Sequence, residues 1–160
     1  MRIMGIDGSL SNTGIAIVKD NKVIETMGIM TDSKDKIEDR IYQLVHIVKN
    51  LIDKNDIDVV ILEDVFVYMN SKTIINLARL NGALLALCRS LNREVILCPP
   101  TVHKKIATGK GNATKEDTIK AVEKYFNMEV PYLLTQKGNI KKKKGRELKN
   151  DNIADALSLC

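Results

Sequence analysis

The segment 58–63, DVVILE, restricts the possible folds of this chain more than any other feature. Consecutive apolar residues over this length are typical of a strand that is covered on both faces. Before it, apolar residues three and four apart predict a helix over about 35–53, and residues 72–91 after it predict a second helix. Parallel strands need crossover helices, so a strand between two helices points to a parallel neighbour. We therefore expect an α/β fold.

Shorter apolar runs precede the first helix and predict three strands, joined in part by a tight turn at Asp20-Asn21-Lys22. A further strand follows the second helix and ends at Pro99-Pro100. These four strands are expected at residues 2–6, 14–19, 23–29 and 94–98. Together with 58–63 they predict a mixed sheet, antiparallel over its first three strands and then parallel, with helices on its faces.

The composition favours one globular domain over residues 1–160, with 44% hydrophobic and 28% charged residues. A net charge of +5 permits a nucleic acid as partner. The three cysteines lack metal or redox spacing and are expected to be reduced thiols. Neither a leader nor an apolar run of membrane-spanning length occurs in the sequence, so we predict an intracellular, cytoplasmic protein without a membrane partner.

The second half of the chain predicts three more helices. Residues 101–126 suggest a short helix, a Gly-x-Gly loop and a longer helix, with Thr114 and Asp117 as a capping pair at its start. A basic loop is expected at 137–149, and a last helix begins near Asp151.

Carboxylates stand at the ends of these apolar elements. Asp7 and Glu63 end two strands that we expect to be parallel neighbours, so their side chains should lie close together. In the last helix, Asp155 shares a face with Asp151 and with Asn152. Buried acids repel one another unless one is protonated or a cation lies between them. Hard oxygen ligands suit Mg²⁺ or Mn²⁺, and two such ions could hydrolyse a phosphodiester.

Each acid also has an ordinary structural interpretation. Asp7 could be a turn residue before Gly8, Glu63 a solvent-facing strand end, and Asp151 a helix N-cap. Three acids in this order at the ends of apolar elements favour the metal site.

Three quoted motifs, GIDGSLSNTGIAIV, ILEDVFVYMNSKT and NIADAL, resemble the RuvC-type Holliday junction resolvases of the ribonuclease H-like superfamily. The resemblance covers nearly the whole chain in the same order. It implies a ribonuclease H-like sheet and a homodimer that depends on Mg²⁺ or Mn²⁺. Such enzymes nick two opposed strands of a four-way DNA junction symmetrically.

The resemblance also assigns residues to the metal site. Asp7, Glu63 and Asp155 match the family's metal ligands. Three residues before Asp155 the family has Asp or His, whereas this chain has Asn152, with Asp151 one residue earlier. Either residue could supply the fourth ligand, and the sequence leaves that choice open.

Contacts with DNA follow from the same resemblance. Phe66 matches an aromatic residue that stacks on an exposed base, an interaction of about 1–3 kcal/mol; Tyr68 competes for this role, and Asn70 also fits the motif. Lys104 and Lys115 coincide with family lysines that contact DNA, and both would neutralise phosphate charge near the cut.

The basic stretch 137–149 lies outside the shared motifs. It could bind the DNA backbone without regard to sequence, or it could simply keep the protein soluble. Its candidate contacts are Lys141, Lys142, Lys143, Lys144 and Arg146. His46 and His103 receive no functional role.

Other functions compete with junction resolution. A related nuclease could act on flap or other branched DNA or on RNA, and a site weakened at Asn152 could leave a junction-binding module. An actin-like ATPase is disfavoured because that fold uses two ribonuclease H-like halves. A covalent intermediate is not expected, since the sequence offers no activated nucleophile. The apolar helix at 72–91 is the expected dimer face.

Overall fold

The computed structural model describes residues 1–65, 71–135 and 137–160, with the side chain of Ser71 excepted. The strands are β1 (Arg2–Asp7), β2 (Thr13–Lys19), β3 (Lys22–Ile29), β4 (Val59–Glu63), β5 (Glu94–Cys98), β6 (Lys142–Lys143) and β7 (Arg146–Glu147). The helices are α1 (Ile37–Asn55), α2 (Ser71–Ser90), α3 (Pro100–Thr108), α4 (Lys115–Phe126) and α5 (Asp151–Leu159).

The main sheet has the strand order β3-β2-β1-β4-β5. Its first three strands are antiparallel, whereas β1 with β4 and β4 with β5 are parallel, which confirms the expected mixed sheet. Ile6 pairs with Leu62, so the two strands end side by side. The turn between β2 and β3 contains two residues, Asp20 and Asn21, both with positive φ, and Lys22 already belongs to the strand.

Helices cover both faces of this sheet because alternate strand residues point to opposite sides. On one face α1 and α2 pack over a cluster that includes Met4, Ile6 and Ile15. On the other, α4 and α5 pack over Ala16 and Val18. The strand residues beneath α5 are small, and this lets the helix lie close to the sheet.

Two glycines set that distance. A Cβ at Gly5 would overlap the backbone carbonyl of Ala156, and one at Gly14 would overlap the backbone carbonyl of Asn152. Both overlaps involve main-chain atoms that a rotamer change cannot move. The last helix is therefore seated directly on the backbone of β1 and β2.

The structure corrects three local expectations. The first helix begins at Ile37 rather than near residue 35. The basic stretch forms the hairpin β6–β7 instead of a loop, with positive φ at Lys144 and Gly145 in its turn. Asp151 does not cap the last helix, because Asn150 occupies that position and its side chain accepts a hydrogen bond from the backbone of Ile153. The Thr114–Asp117 capping box is confirmed.

Candidate active site

The first two carboxylates lie at the ends of the parallel strands β1 and β4. Asp7 is the last residue of β1 and Glu63 the last of β4, and the parallel register places them next to each other at one edge of the sheet. The side chain of Asp7 is buried. After it the chain turns away at Gly8 and Ser9, where the carbonyl of Ser9 accepts a hydrogen bond from the Thr13 hydroxyl at 2.6 Å.

Helix α5 brings the remaining acids to the same edge. Asp155 is buried, and Asp151, in the first turn of the helix, is mostly buried. The negative charges of both residues raise the pKa of Asp7, which places their carboxylates within electrostatic reach of the strand ends. Asp7, Glu63, Asp151 and Asp155 are therefore near enough to interact electrostatically, and a metal site shared by these acids stays a prediction.

Burial and mutual repulsion set the protonation of the two strand-end acids. Desolvation, followed by the charges of Glu63 and Asp155, raises the pKa of Asp7 well above its ordinary value. Burial alone would raise the pKa of Glu63 too, but hydrogen bonds with His103 and Asp7 outweigh it and lower that pKa. The two neighbouring acids therefore differ, since the pKa of Asp7 is raised and that of Glu63 is lowered.

The pKa of Asp155 shifts in the direction opposite to that of Glu63. Desolvation raises its pKa, and the nearby charge of Lys104 offsets only part of that cost. Its Oδ1 atom is buried and has no hydrogen-bond partner among the described residues. A buried, unpartnered carboxylate oxygen beside two further acids is a donor set that suits a divalent cation.

The ligands are not already gathered into a complete cluster. Across residues 1–65, 71–135 and 137–160, no three His, Cys, Asp or Glu side chains converge closely enough to hold a metal ion by themselves.

Two predicted lysines lie at this edge. Lys115, the first residue of α4, forms an ion pair with Asp151, and the hydrogen bond from this pair is the main reason that the pKa of Lys115 is raised. The positive charge of Lys104 in α3 acts on both Glu63 and Asp155. Lys115 is largely exposed, so it can also meet a phosphate from solvent.

Asn152 is engaged elsewhere. Its side-chain nitrogen donates a hydrogen bond to the backbone carbonyl of Asn12, in the loop between β1 and β2. Asn152 therefore ties α5 to that loop, whereas Asp151 faces Lys115.

A buried imidazole contacts the site, although no sequence motif assigned it a role. Of the His103 side chain, 1% is exposed; Nε2 lies 2.8 Å from Oε1 of Glu63 and Nδ1 lies 2.6 Å from Oγ of Ser158. The only sequence signal is position: His103 follows Pro100, which begins α3, by three residues. By contrast, His46 stacks on Tyr42 away from these acids.

The basic hairpin lies beside the carboxylates. Lys143 of β6 lines the same surface recess as Lys115 and Asp151. The base of the hairpin is joined to the preceding segment by the bridge between Tyr132 and Lys149. The predicted contacts Lys141, Lys142, Lys143, Lys144 and Arg146 are all exposed. Those at Phe66, Tyr68 and Asn70 fall outside the described residues.

The sequence was then compared with known proteins. The family model described as "Crossover junction endodeoxyribonuclease RuvC" matches residues 3–136. A protein of that name from Dictyoglomus thermophilum is 30% identical over 165 aligned residues, covering 100% of this chain and 94% of the relative. Another from Ehrlichia canis is 31% identical over 132 residues, covering 81% of this chain and 85% of the relative.

Solved structures share the fold. Thermus thermophilus RuvC superimposes with a TM-score of 0.76 at 17% identity, over 99% of this chain and 90% of the other. T. thermophilus RuvC in complex with Holliday junction substrate gives a TM-score of 0.76 at 18% identity, over 99% and 89%. These matches confirm the ribonuclease H-like sheet.

Among the described residues, no helix is both long and apolar enough to cross a membrane.

Proposed function

This chain belongs to the RuvC family of crossover junction endodeoxyribonucleases, and from that premise we propose that it resolves four-way DNA junctions by metal-dependent hydrolysis of phosphodiester bonds. The single observation that supports this most is that Asp7, Glu63 and Asp155 lie at one edge of the sheet, where Asp155 has a buried oxygen with no partner among residues 1–65, 71–135 and 137–160. We propose symmetric nicking of two opposed strands in the junction.

The cation would be Mg²⁺ or Mn²⁺, with two ions at each site, held by the oxygens of Asp7, Glu63 and Asp155. When bound, it makes water more acidic and neutralises negative charge on the scissile phosphate. The protein's own contribution is to fix these oxygens on two strands and a helix, and to keep them ionised once the repulsion between them is relieved.

We propose Asp151 as the fourth ligand rather than Asn152. The charge of Asp151 acts on both Asp7 and Asp155. The amide of Asn152 is occupied by the Asn12 carbonyl. In this arrangement Lys115 balances the charge of Asp151 in the free protein and turns to the phosphate when DNA arrives, while Lys104 stabilises charge on the other side of Asp155.

Contacts away from the cut would orient the junction. Phe66 or Tyr68 would stack on an unpaired base at the crossover, with Asn70 beside them. The basic hairpin, residues 141–147, would hold one DNA arm by its phosphates, because it lies beside Lys115 and Asp151.

A homodimer would match the two-fold symmetry of a junction with two sites. Helix α2 is the proposed dimer face. It buries Leu77, Leu80 and Leu84 against the core, while Ile75 on the other side is 50% exposed. Ala78, Gly82 and Ala86 are exposed as well, so the outer surface of α2 offers small and apolar residues to a second protein surface.

The test is incubation of labelled four-way junction, flap and linear duplex DNA with Mg²⁺ or Mn²⁺ and with EDTA. We expect paired nicks at symmetric positions in the junction alone, only with the metal, and none from Asp7→Asn. A preference for flap DNA would instead support the second nuclease function. Equal cleavage by wild type and Asp7→Asn would disprove the metal site.

The fourth ligand is tested by alanine at positions 151 and 152 separately. Asp151→Ala should weaken Mn²⁺ binding in calorimetry about 10-fold or more, whereas Asn152→Ala should change it little. The reverse order would assign the ligand to Asn152.

The hairpin is tested by the salt dependence of junction binding, with a matched control. Lys143 pairs with Arg146 across the turn of β6–β7, as Lys19 pairs with Lys22 across the turn of β2–β3. Glutamine at the first pair should reduce the slope of log K against log salt by up to about 2, since each lost phosphate contact removes about 0.9. Glutamine at the second pair should leave the slope unchanged. Equal slopes in the two variants would exclude the hairpin from the DNA interface.

A further inference from the structure

His103 is buried on the inner side of α3 although the pattern of that helix would place other residues there. Val102 is 44% exposed and Ile106 is 77% exposed on the same short helix, while 1% of His103 is exposed. Burying a polar ring and leaving two large aliphatic side chains in water is unfavourable for packing alone. The imidazole is therefore held inside by its polar contacts.

Those contacts reach two elements of the active site. Nε2 lies 2.8 Å from Oε1 of Glu63 at the end of β4. Nδ1 lies 2.6 Å from Oγ of Ser158 in α5, whose hydroxyl is 2.7 Å from the backbone carbonyl of Asp155. An ionised carboxylate can only accept, so the proton between the ring and Glu63 belongs to Nε2.

The main chain of Glu63 is fixed independently. Nδ2 of Asn81 in α2 donates to the backbone carbonyl of Glu63 at 3.0 Å. With its backbone held by α2 and one carboxylate oxygen held by α3, the side chain of Glu63 has little freedom left. Hydrogen-bonded partners of this kind orient the carboxylates that bind metal ions.

We propose that His103 is a positioning residue, which holds Oε1 of Glu63 so that the other oxygen remains available to a divalent cation, while Ser158 fixes the ring relative to Asp155. This inference rests on the proposed function, because it assumes that Glu63 is a metal ligand. It adds a contact that links α3, β4 and α5, the elements that carry Lys104, Glu63 and Asp155.

The test uses two carboxamides that differ in reach. His103→Gln places an amide nitrogen near the position of Nε2 and can still donate to Glu63, whereas His103→Asn reaches only the position of Nδ1. Mn²⁺ affinity is measured by titration calorimetry on the DNA-free protein, and junction affinity is measured in EDTA. We expect the Asn variant to lose about 10–100-fold in Mn²⁺ affinity and the Gln variant to stay within about threefold of wild type. Junction affinity in EDTA should be equal in all three proteins.

A purely structural role gives a different result. Equal Mn²⁺ affinities of the Gln and Asn variants, at any level, would overturn the proposal, and so would unfolding of both, since the fold itself would then require the ring. Wild-type protein that binds Mn²⁺ but never nicks a junction would overturn the proposed function. The difference in Mn²⁺ affinity between the Gln and Asn variants could still be measured in that case. Cleavage under single-turnover conditions should follow the Mn²⁺ affinities.

Discussion

Glu63 and Asp155 belong to one site and are both almost buried, yet the protein surrounds them in opposite ways. The side chain of Glu63 is 12% exposed and receives the imidazole of His103, and its pKa is lowered. Asp155 is 8% exposed, one of its oxygens has no hydrogen-bond partner in the described part of the chain, and its pKa is raised. The protein itself provides a hydrogen-bond partner for the strand-end acid, Glu63. An oxygen of the helix acid, Asp155, is left for an incoming cation.

This difference means that two acids of one site have opposite effects on the stability of the fold. A hydrogen-bonded buried carboxylate contributes to the stability of the fold, whereas an unpartnered one costs free energy until a ligand compensates it. Both should be needed for cleavage, but removing their charges should affect the metal-free protein in opposite directions.

The largest expected effect tests the contrast between Glu63 and Asp155 directly. Glu63→Gln and Asp155→Asn should each reduce junction cleavage by about 100-fold or more, because each removes a proposed metal ligand. In EDTA at neutral pH, however, Glu63→Gln should lower the free energy of unfolding by about 1.5–3 kcal/mol, the usual contribution of a hydrogen bond to a charged group. Asp155→Asn should raise it. Denaturant unfolding measures both, and a loss of stability in both variants would contradict the comparison.

A second prediction concerns the close packing of α5, the helix that carries Asp155, on the sheet. Gly14→Ala should lower the free energy of unfolding by about 3 kcal/mol, because the added Cβ overlaps the backbone of Asn152 and displaces α5. Gly8→Ala is the matched control, since its Cβ would meet no atom closer than 3.4 Å. Similar melting temperatures for the two variants would show that α5 is not held by this close contact.

A third, smaller effect follows from the cap of the same helix. Asn150→Ala removes the side chain that accepts the hydrogen bond from Ile153, and should cost about 1 kcal/mol. Its metal affinity should fall together with its stability, because Asp151 is the next residue. An Asn150→Ser variant, which keeps a capping oxygen, should recover most of both. No recovery would mean that the cap does not stabilise the site.

The smallest expected effect is on pH dependence. The pKa values of Asp7 and Asp155 are raised in the folded protein, so above their ordinary value of 3.8 the folded state binds more protons than the unfolded chain. In EDTA the free energy of unfolding should therefore fall as pH rises from about 4 through these raised values. Glu63 acts in the opposite sense but only below its ordinary value of 4.5. An Asp7→Asn, Asp155→Asn double variant should remove the decline, and an unchanged decline would assign it to other groups.

The sequence predicted the strand-end acids well because their position depends on one simple rule. Apolar runs locate β1 and β4, and parallel neighbours end at the same edge of a sheet, so Asp7 and Glu63 had to meet. The choice between Asp151 and Asn152 was beyond such reasoning. One residue is a rotation of about 100° on a helix, and the rotation of α5 is visible only in its contacts, those of Asn152 with Asn12 and of Asp151 with Lys115 among them.

The features that were missed have equally definite causes. Apolar periodicity in α3 favours Val102 and Ile106 as its buried side, yet both are exposed and His103 is buried. The hairpin β6–β7 has strands of two residues each, which is too short for an alternating pattern. Its turn at Lys144 and Gly145 lies within a run of lysines and could not be recognised from the sequence. In α3 the local pattern is overridden by the contacts of His103 with Glu63 and Ser158, whereas the hairpin is too short to show a pattern.

The seating of α5 on Gly5 and Gly14 has a consequence for biosynthesis. The central strands β1 and β4 are complete once residue 63 has been made, but Asp155 follows almost a hundred residues later. A chain made only to residue 63 thus contains Asp7 and Glu63 but neither Asp151 nor Asp155. Because Asp151 and Asp155 lie on α5, the proposed metal site is complete only after α5 has packed on β1 and β2.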